Sequence, residues 1–453
     1  MPLDFDRLRQ RLIQELTLVG SATSLELRAR LGISQPSFSR LVASLGDRVL
    51  TSGKASATRY AARRSAQDLP DRLDVYEVDE RGHTERLAVL HSILPGGYYV
   101  ESHRADLTSS FYQDLPYFLH DLRPAGFLGR LVPTQHPELG LPGDVRNWSS
   151  NDTLRYLQRW GFDAPGSLIV GDVALEQFLV CLAEPPAVVA PRQRTRRYPE
   201  LAEQVLEGGN PGSSAGGEQP KFLATLASGE QGLVKFSPRS KDASAKRQAD
   251  LLICEYLAHR VLEAHGQAVP RSELVLAGER VFLEVGRFDR SSGGGRRGVL
   301  SLLALDAEFV GRMHSWTDST SRLVEAGQVP ESALRDVRLR ELFGKLIFNT
   351  DMHPGNLSFI ARGAKVLELA PVYDMLPMHY SGTRLEEAPE PSLPIPAIAD
   401  AEVWEPASQA AIEFWNAVAK ENGVSAGFRR VARANTAKMA EFRRLAQRLP
   451  RAR

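Results

Sequence analysis

A protein of several domains, α+β in class and opening on a small helical module, is what this sequence predicts. Three observations lead there. The length of 453 residues exceeds what one small core organises. Helical periods dominate both ends while strand-like runs such as LVKF and LSFI fall between them. Two stretches, 62–74 and the Pro-, Gly- and Arg-rich 184–217, read as a linker and as a boundary or mobile segment. Lys and Arg number 56 against 55 Asp and Glu, so no global charge points to nucleic acid or to an anionic membrane. Hydrophobic residues at 43% and charged residues at 25% argue against wholesale disorder. No run approaches the ~18 apolar residues of a membrane span, and the N-terminus lacks a signal-peptide stretch. Only Cys181 and Cys254 occur, with no CxxC or HExxH, which argues against a disulfide framework or a zinc site. A reduced, cytoplasmic protein without a membrane partner is expected.

Charge is uneven along the chain. Residues 1–64 hold 11 Lys/Arg against 5 Asp/Glu. Leu8, Leu12, Ile13 and Leu16 mark one face of a first helix ending near Gly20. Thr23 and Glu26 have capping-box spacing for a second, which Gly32 turns out of at Leu31. Ser34 is placed to cap a third helix with Pro36 in its first turn. Phe38, Leu41, Val42 and Leu45 would bury one face of that helix, leaving Gln35, Ser37, Ser39 and Arg40 outward. Strand-like Val49–Thr51 and Thr58–Ala61 flank a turn holding Lys54. This order is that of a winged helix-turn-helix, which would place the third helix in the major groove of double-stranded DNA. Lys54 and Arg59 would then meet phosphates. A small protein-interaction module with a basic rim is the alternative. A winged helix reading a palindrome favours a homodimer.

Farther on, Ser213-Ser214-Ala215-Gly216-Gly217-Glu218-Gln219-Pro220-Lys221 precedes a strand-like FLATL. Adjacent glycines let backbone N–H groups approach an anion closely, although such a stretch is equally a surface turn. Lys235 lies in the apolar run LVKF and could point at phosphates. Glu255 lies on a helix expected from Ala249 to Ala264 and could pair with Lys235. Loops are expected at 291–298 and at 388–396, and a helical stretch from about Ser408 to Arg448.

The strongest signal is Asn349-Thr350-Asp351-Met352-His353-Pro354-Gly355-Asn356. It follows a helix (ELFGKLIF) and precedes a strand pair, LSFI and KVLELA, which leads to Tyr373-Asp374. Asp351 and Asn356 have the D-x-x-x-x-N spacing of a kinase catalytic loop. A carboxylate there can orient an acceptor hydroxyl while an amide oxygen one loop turn away ligates Mg²⁺. A second Asp can bridge the metal to phosphates.

Together GGEQPK, LVKF, the Glu255 helix, VGRFDR (285–290), NTDMHPGN and LAPVYDMLP resemble the HipA family of bacterial serine/threonine kinases, over about residues 70–445. The fused winged helix is similar to the YjjJ-type branch. The resemblance implies a two-lobed protein-kinase-like fold, with residues 1–64 as the DNA-binding domain, 65–285 as the N-terminal lobe and 286–453 as a helical C-terminal lobe. It implies ATP with Mg²⁺, Asp351 as catalytic aspartate, and Asn356 and Asp374 as metal ligands. Lys235 would contact phosphates with Glu255 as its partner, and the 216–221 loop (Gly216, Gly217, Glu218, Gln219, Pro220, Lys221) would cover them. Gly286, Arg287 and Phe288 would meet adenine, with His353 and Tyr373 flanking the nucleotide. Ser214, or Ser213, would be autophosphorylated. Pro220 stands where an acidic residue is usual in the family, and Pro354 stiffens the catalytic loop. An aminoacyl-tRNA synthetase is the family precedent for the protein substrate. Two other functions fit the residues: a DNA-binding regulator whose kinase-like domain only senses nucleotide, and a small-molecule phosphotransferase.

Overall fold

The computed structural model describes residues 4–64, 69–208, 219–227, 229–239, 242–382, 390–395 and 398–448. Asp4 starts α1 (Phe5–Val19) by accepting from the Arg7 N–H at 3.1 Å, and Leu8, Leu12 and Leu16 bury one face of it. After β1 (Ser21–Thr23), Thr23 and Glu26 close a reciprocal capping box on α2 (Ser24–Leu31). Gly32, at φ +68°, turns the chain towards α3 (Gln35–Leu45), whose Phe38, Leu41 and Leu45 complete the core. Strands β2 (Val49–Ser52) and β3 (Arg59–Ala62) form a hairpin to which β1 adds, in the order β1-β3-β2.

Two local expectations fail here. Ser34 occupies the N-cap of α3, but its hydroxyl meets Ser37 Oγ at 3.1 Å and makes no capping bond. Ser37, expected outward, is buried, whereas Gln35, Ser39, Arg40, Lys54 and Arg59 are exposed. Arg59 is held to Ser21 through both its hydroxyl and its carbonyl.

In the linker expected at 62–74, the described residues 62–64 and 69–74 are tied into neighbouring structure. The Leu94 N–H donates to Ala62 O and the Arg64 N–H to Ser92 O, each at 2.9 Å. Leu50 and Ala61, on the outer face of the hairpin, pack on Ile93 and Tyr99, with Phe111 against them. Ser52 Oγ donates to Tyr99 Oη at 2.5 Å. The first module is therefore seated on the sheet that follows it.

That sheet is a meander of β4 (Arg72–Val78), β5 (Thr84–Ser92), β6 (Tyr98–Ser102) and β7 (Ser110–Tyr112). Helices α4 (Tyr117–His120), α5 (Gly126–Gln135) and α6 (Ser150–Trp160) lead to β8 (Leu168–Val170), which completes the order β7-β6-β5-β4-β8. Helix α7 (Asp172–Ala183) ends this part. A second five-stranded sheet follows, so the single lobe expected over 65–285 contains two. It is built from β9 (Val188–Val189), β10 (Lys221–Leu226), β11 (Gln231–Phe236), β12 (Ser272–Ala277) and β13 (Arg280–Gly286), in the order β12-β13-β11-β10-β9. Helix α8 (Arg194–Leu206) precedes β10, and α9 (Ala243–Ala264) lies between β11 and β12.

Helix α8 lies inside the segment expected to be a boundary or mobile. Its opening arginine is not a solvated charge. Arg194 is buried between Glu284 (3.0 Å) and Glu273 (2.7 Å), and the Tyr198 hydroxyl donates to Glu284. Burying a guanidinium is tolerable only with such partners, which the β-strands supply.

The remainder consists of β14 (Gly298–Ser301), α10 (Leu302–Phe309), α11 (Trp316–Glu325), α12 (Ser332–Leu346), β15 (Ser358–Arg362), β16 (Lys365–Leu369), α13 (Trp404–Lys420) and α14 (Ala426–Ala446). One core runs from Leu69 to Phe442 and takes in the inner face of α9. The glycine loop at 291–298 is pressed against the first large sheet. A Cβ on Gly295 would lie 2.0 Å from Glu80 O, so only glycine fits that approach.

Candidate active site

The site begins with two lysines on neighbouring strands. Lys221 on β10 is paired in register with Lys235 on β11, and directly opposed residues share a sheet face. Both are buried, with 1% and 5% of their surface exposed. Two ammonium groups this close repel, so the arrangement needs carboxylates. Glu255 on α9 supplies one, 2.6 Å from Lys235 Nζ, and Asp374 supplies the other by accepting from the same Nζ. Burial works against the charged form of Lys235, yet Asp374 and Glu255 hold its pKa above the usual lysine value. Burial likewise raises the Asp374 carboxyl, but Lys235 and Lys221 outweigh it and keep this acid below its usual range. Glu255 is raised, because its burial outweighs Lys235. Lys221 is pushed down to about 8, chiefly by burial, with Asp374 opposing the shift and Lys235 adding to it.

The second part is the loop after α12. Phe348 (φ +59°) and Asp374 (φ +50°) both adopt left-handed backbone, which a non-glycine residue holds only when its surroundings impose it. Asn349 Nδ2 donates to the Asp374 carbonyl at 3.3 Å, and its Oδ1 accepts from the Asp351 N–H at 3.1 Å. Asn356 Nδ2 donates to Asp351 O at 2.8 Å, which closes the loop. Among the described residues the Asp351 carboxylate and Asn356 Oδ1 accept no hydrogen bond, and Asp351 is exposed. His353 Nδ1 accepts from the Gly355 N–H at 3.1 Å, and its carbonyl accepts from Trp316 Nε1 at 3.1 Å. The Tyr373 hydroxyl donates to Gly355 O at 2.8 Å and lies 2.6 Å from Ser358 Oγ; burial keeps it protonated.

Phe288 stacks on Tyr373, with ring centroids 5.9 Å apart. Arg287 faces the other way. Its guanidinium is buried against Asp163 (2.9 Å) and Asp289 (2.8 Å), joined there by Arg290. What segment 286–288 can present to a base is therefore backbone and the Phe288 ring. Gln219 Nε2 donates to Phe236 O at 2.7 Å, tying the entry of β10 to the end of β11. Ser213, Ser214, Gly216, Gly217 and Glu218 lie outside the described residues.

One residue that sequence reasoning overlooked is Gly344 on α12. A Cβ there would sit 2.5 Å from Met352 Sδ and 3.3 Å from Met375 Sδ, the residues just after Asp351 and Asp374. The signal was present: a glycine inside an otherwise helical run costs about 1 kcal/mol against alanine, and the close approach of Met352 is its packing reason.

Chemically, the arrangement offers two buried ammonium groups for anionic oxygens and oxygen donors suited to a hard cation. Among the described residues no group of three or more His, Cys, Asp or Glu side chains forms a metal cage. Mg²⁺ needs no such cage, because it is commonly held by one or two protein oxygens together with phosphate. The donor set therefore fits Mg²⁺ with a nucleoside triphosphate. Also among the described residues, no helix is long and apolar enough to cross a membrane.

Comparison with known proteins agrees along the chain. Residues 69–179 match the family described as YjjJ-like toxin, middle domain, and residues 213–444 match the HipA-like C-terminal domain. Toxin YjjJ of Escherichia coli (strain K12) is 37% identical over 429 residues, covering 93% of this chain and 95% of that one. Two solved structures are similar at low identity. One is Shewanella oneidensis MR-1 HipA, from its complex with HipB and operator DNA (17% identity, TM-score 0.48, 82% of this chain and 95% of that one). The other is the Helicobacter pylori proinflammatory kinase CtkA (13%, TM-score 0.40, 54% and 97%). With a relative this similar along nearly its whole length, the chain belongs to the HipA-like toxin family, in its YjjJ-like branch.

Proposed function

We propose that the chain is an ATP- and Mg²⁺-dependent serine/threonine protein kinase of the HipA toxin type, carrying a DNA-binding module at its N-terminus. The observation that carries this reading is the convergence of Lys235 with Glu255 and Asp374, joined through Asn349 to Asp351. Phosphoryl transfer asks a protein mainly to position groups and neutralise charge. Lys235, fixed by Glu255, and Lys221 bind phosphate oxygens. Asp374 and Asn356 hold Mg²⁺, which supplies charge neutralisation at the phosphates. Asp351 orients the acceptor hydroxyl with its open carboxylate. Phe288 offers a ring to the base, and Tyr373 backs that ring. Self-phosphorylation at Ser214, with Ser213 as the alternative, would add about −1.5 to −2 charge beside the phosphates and weaken nucleotide binding. In the N-terminal module, Gln35, Ser39 and Arg40 on α3 face the groove and Lys54 with Arg59 the phosphates, while Ser37 is withdrawn by its burial.

The test is incubation of the full chain with γ-labelled ATP and Mg²⁺. Label on protein is expected, and Asp351→Asn should lose it while keeping the same thermal midpoint. Label that stays on ATP or moves to a metabolite overturns the protein-kinase reading, as does full transfer by the Asp351→Asn protein.

A further inference from the structure

Asn349 is buried, with 6% of its surface exposed, and its backbone is fixed before its side chain is considered. Its N–H donates to Gly344 O at 2.9 Å, and the preceding Phe348 carbonyl accepts from the His379 N–H at 3.0 Å. The side-chain amide then spans two separate loops, reaching Asp374 O with its nitrogen and the Asp351 N–H with its oxygen. Only this orientation works. Turned over, the amide would set its NH₂ against the Asp351 N–H and its oxygen against the Asp374 carbonyl.

The carbonyl it holds belongs to a residue in left-handed backbone, at φ +50°. Without a donor on that carbonyl, Asp374 gains by relaxing to negative φ, which swings its carboxylate away from Lys235. We infer that Asn349 is a positioning residue: one amide holds Asp351 and Asp374 in fixed relation, so that the acceptor-orienting and cation-binding carboxylates keep their separation. This inference rests on the kinase reading above. Displacements near 1 Å at a reacting centre are enough to lower a rate by about 100-fold.

Three variants of the full chain separate hydrogen bonding from packing. Asn349→Leu keeps the bulk and loses both bonds. Asn349→Asp still accepts from the Asp351 N–H but has no proton for Asp374. Asn349→His, neutral, can donate at one nitrogen and accept at the other. The readouts are the initial rate of protein labelling from γ-labelled ATP, the ATP KM, the Mg²⁺ concentration at half-maximal rate, and the thermal midpoint. For Asn349→Leu the expected result is a fall in kcat of about 100-fold with a raised Mg²⁺ requirement and an ATP KM within about threefold. Asn349→Asp should fall between, and Asn349→His should recover to within about tenfold of the parent. A Leu variant at the parent rate overturns the inference, and so do His and Leu variants that are equally defective. Should the Leu variant not fold, the Asp and His variants decide the matter, equal rates overturning it. Asp351→Asn is run alongside. If it labels normally the kinase reading itself falls; if it is silent while Asn349→Leu labels normally, only the role of Asn349 falls.

Discussion

Raising the pH through 8 should move stability and nucleotide affinity in opposite directions, both through Lys221. Its pKa is pushed down to about 8 in the folded protein, from an ordinary value of 10.5. Below pH 8 the lysine is charged in folded and unfolded chains alike, and the folded chain bears the whole burial penalty. Between 8 and 10.5 the folded form gives up its proton first, so this residue's contribution to stability rises across that window. A shift of this size corresponds to a few kcal/mol, roughly 3, as an upper figure. Affinity runs the other way. The ammonium is about 90% protonated at pH 7 and about 10% at pH 9, so binding that depends on the cation should weaken about tenfold between them. Calorimetric titration with Mg·ATP from pH 7 to 9.5 at fixed ionic strength measures the second effect. Urea unfolding of the parent and of Lys221→Met measures the first. Lys221→Arg, whose guanidinium stays charged, should bind nucleotide with no step near pH 8. A parent affinity flat across pH 8, or a step that survives in Lys221→Arg, would refute the assignment of Lys221 to the phosphates.

Gly344→Ala should separate stability from catalysis. The helix gains about 1 kcal/mol from alanine while Met352 and Met375 must yield, so the thermal midpoint should change little; the labelling rate should fall about tenfold as both loops shift, and an unchanged rate would refute the packing argument. In the N-terminal module, Lys54→Gln should lower the slope of log affinity against log salt for duplex DNA by about one, measured by fluorescence anisotropy. A slope equal to the parent's would remove Lys54 from the phosphate-contacting surface.

What could be read in the sequence was local. The capping box at Thr23 and Glu26, the helix before Asn349 and the strand pair after Asn356 each depend on residues a few positions apart, so spacing alone reveals them. The proximity of Lys235 to Glu255 was legible for the same reason, the two lying only 20 residues apart on a strand and the helix that follows it. Pairings across the chain were not legible. Arg287 has one partner within VGRFDR, Asp289 two residues on, but the other, Asp163, which buries it away from the site, lies 124 residues away. The arginines before Tyr198 resemble a solvated loop until Glu284 arrives from β13 to bury Arg194. Ser37 sits at the flank of the apolar stripe, one turn before Leu41, and is buried there, a borderline that hydrophobic periodicity does not resolve. The division of 65–285 into two sheets depends on which strands pair, information carried by side chains far apart in the chain.

The seating of the first module has a practical consequence for any attempt to study the rest of the chain alone. Removing residues 1–64 would uncover Ile93 and Tyr99 and take away the hydrogen bonds to the Ser92 carbonyl and from the Leu94 N–H, creating a sticky edge that the intact protein never displays. Altered behaviour of such a shortened chain would report that wound as much as any regulatory influence. Point changes on the exposed side of α3, which leave the seam closed, are the cleaner way to ask what the module does.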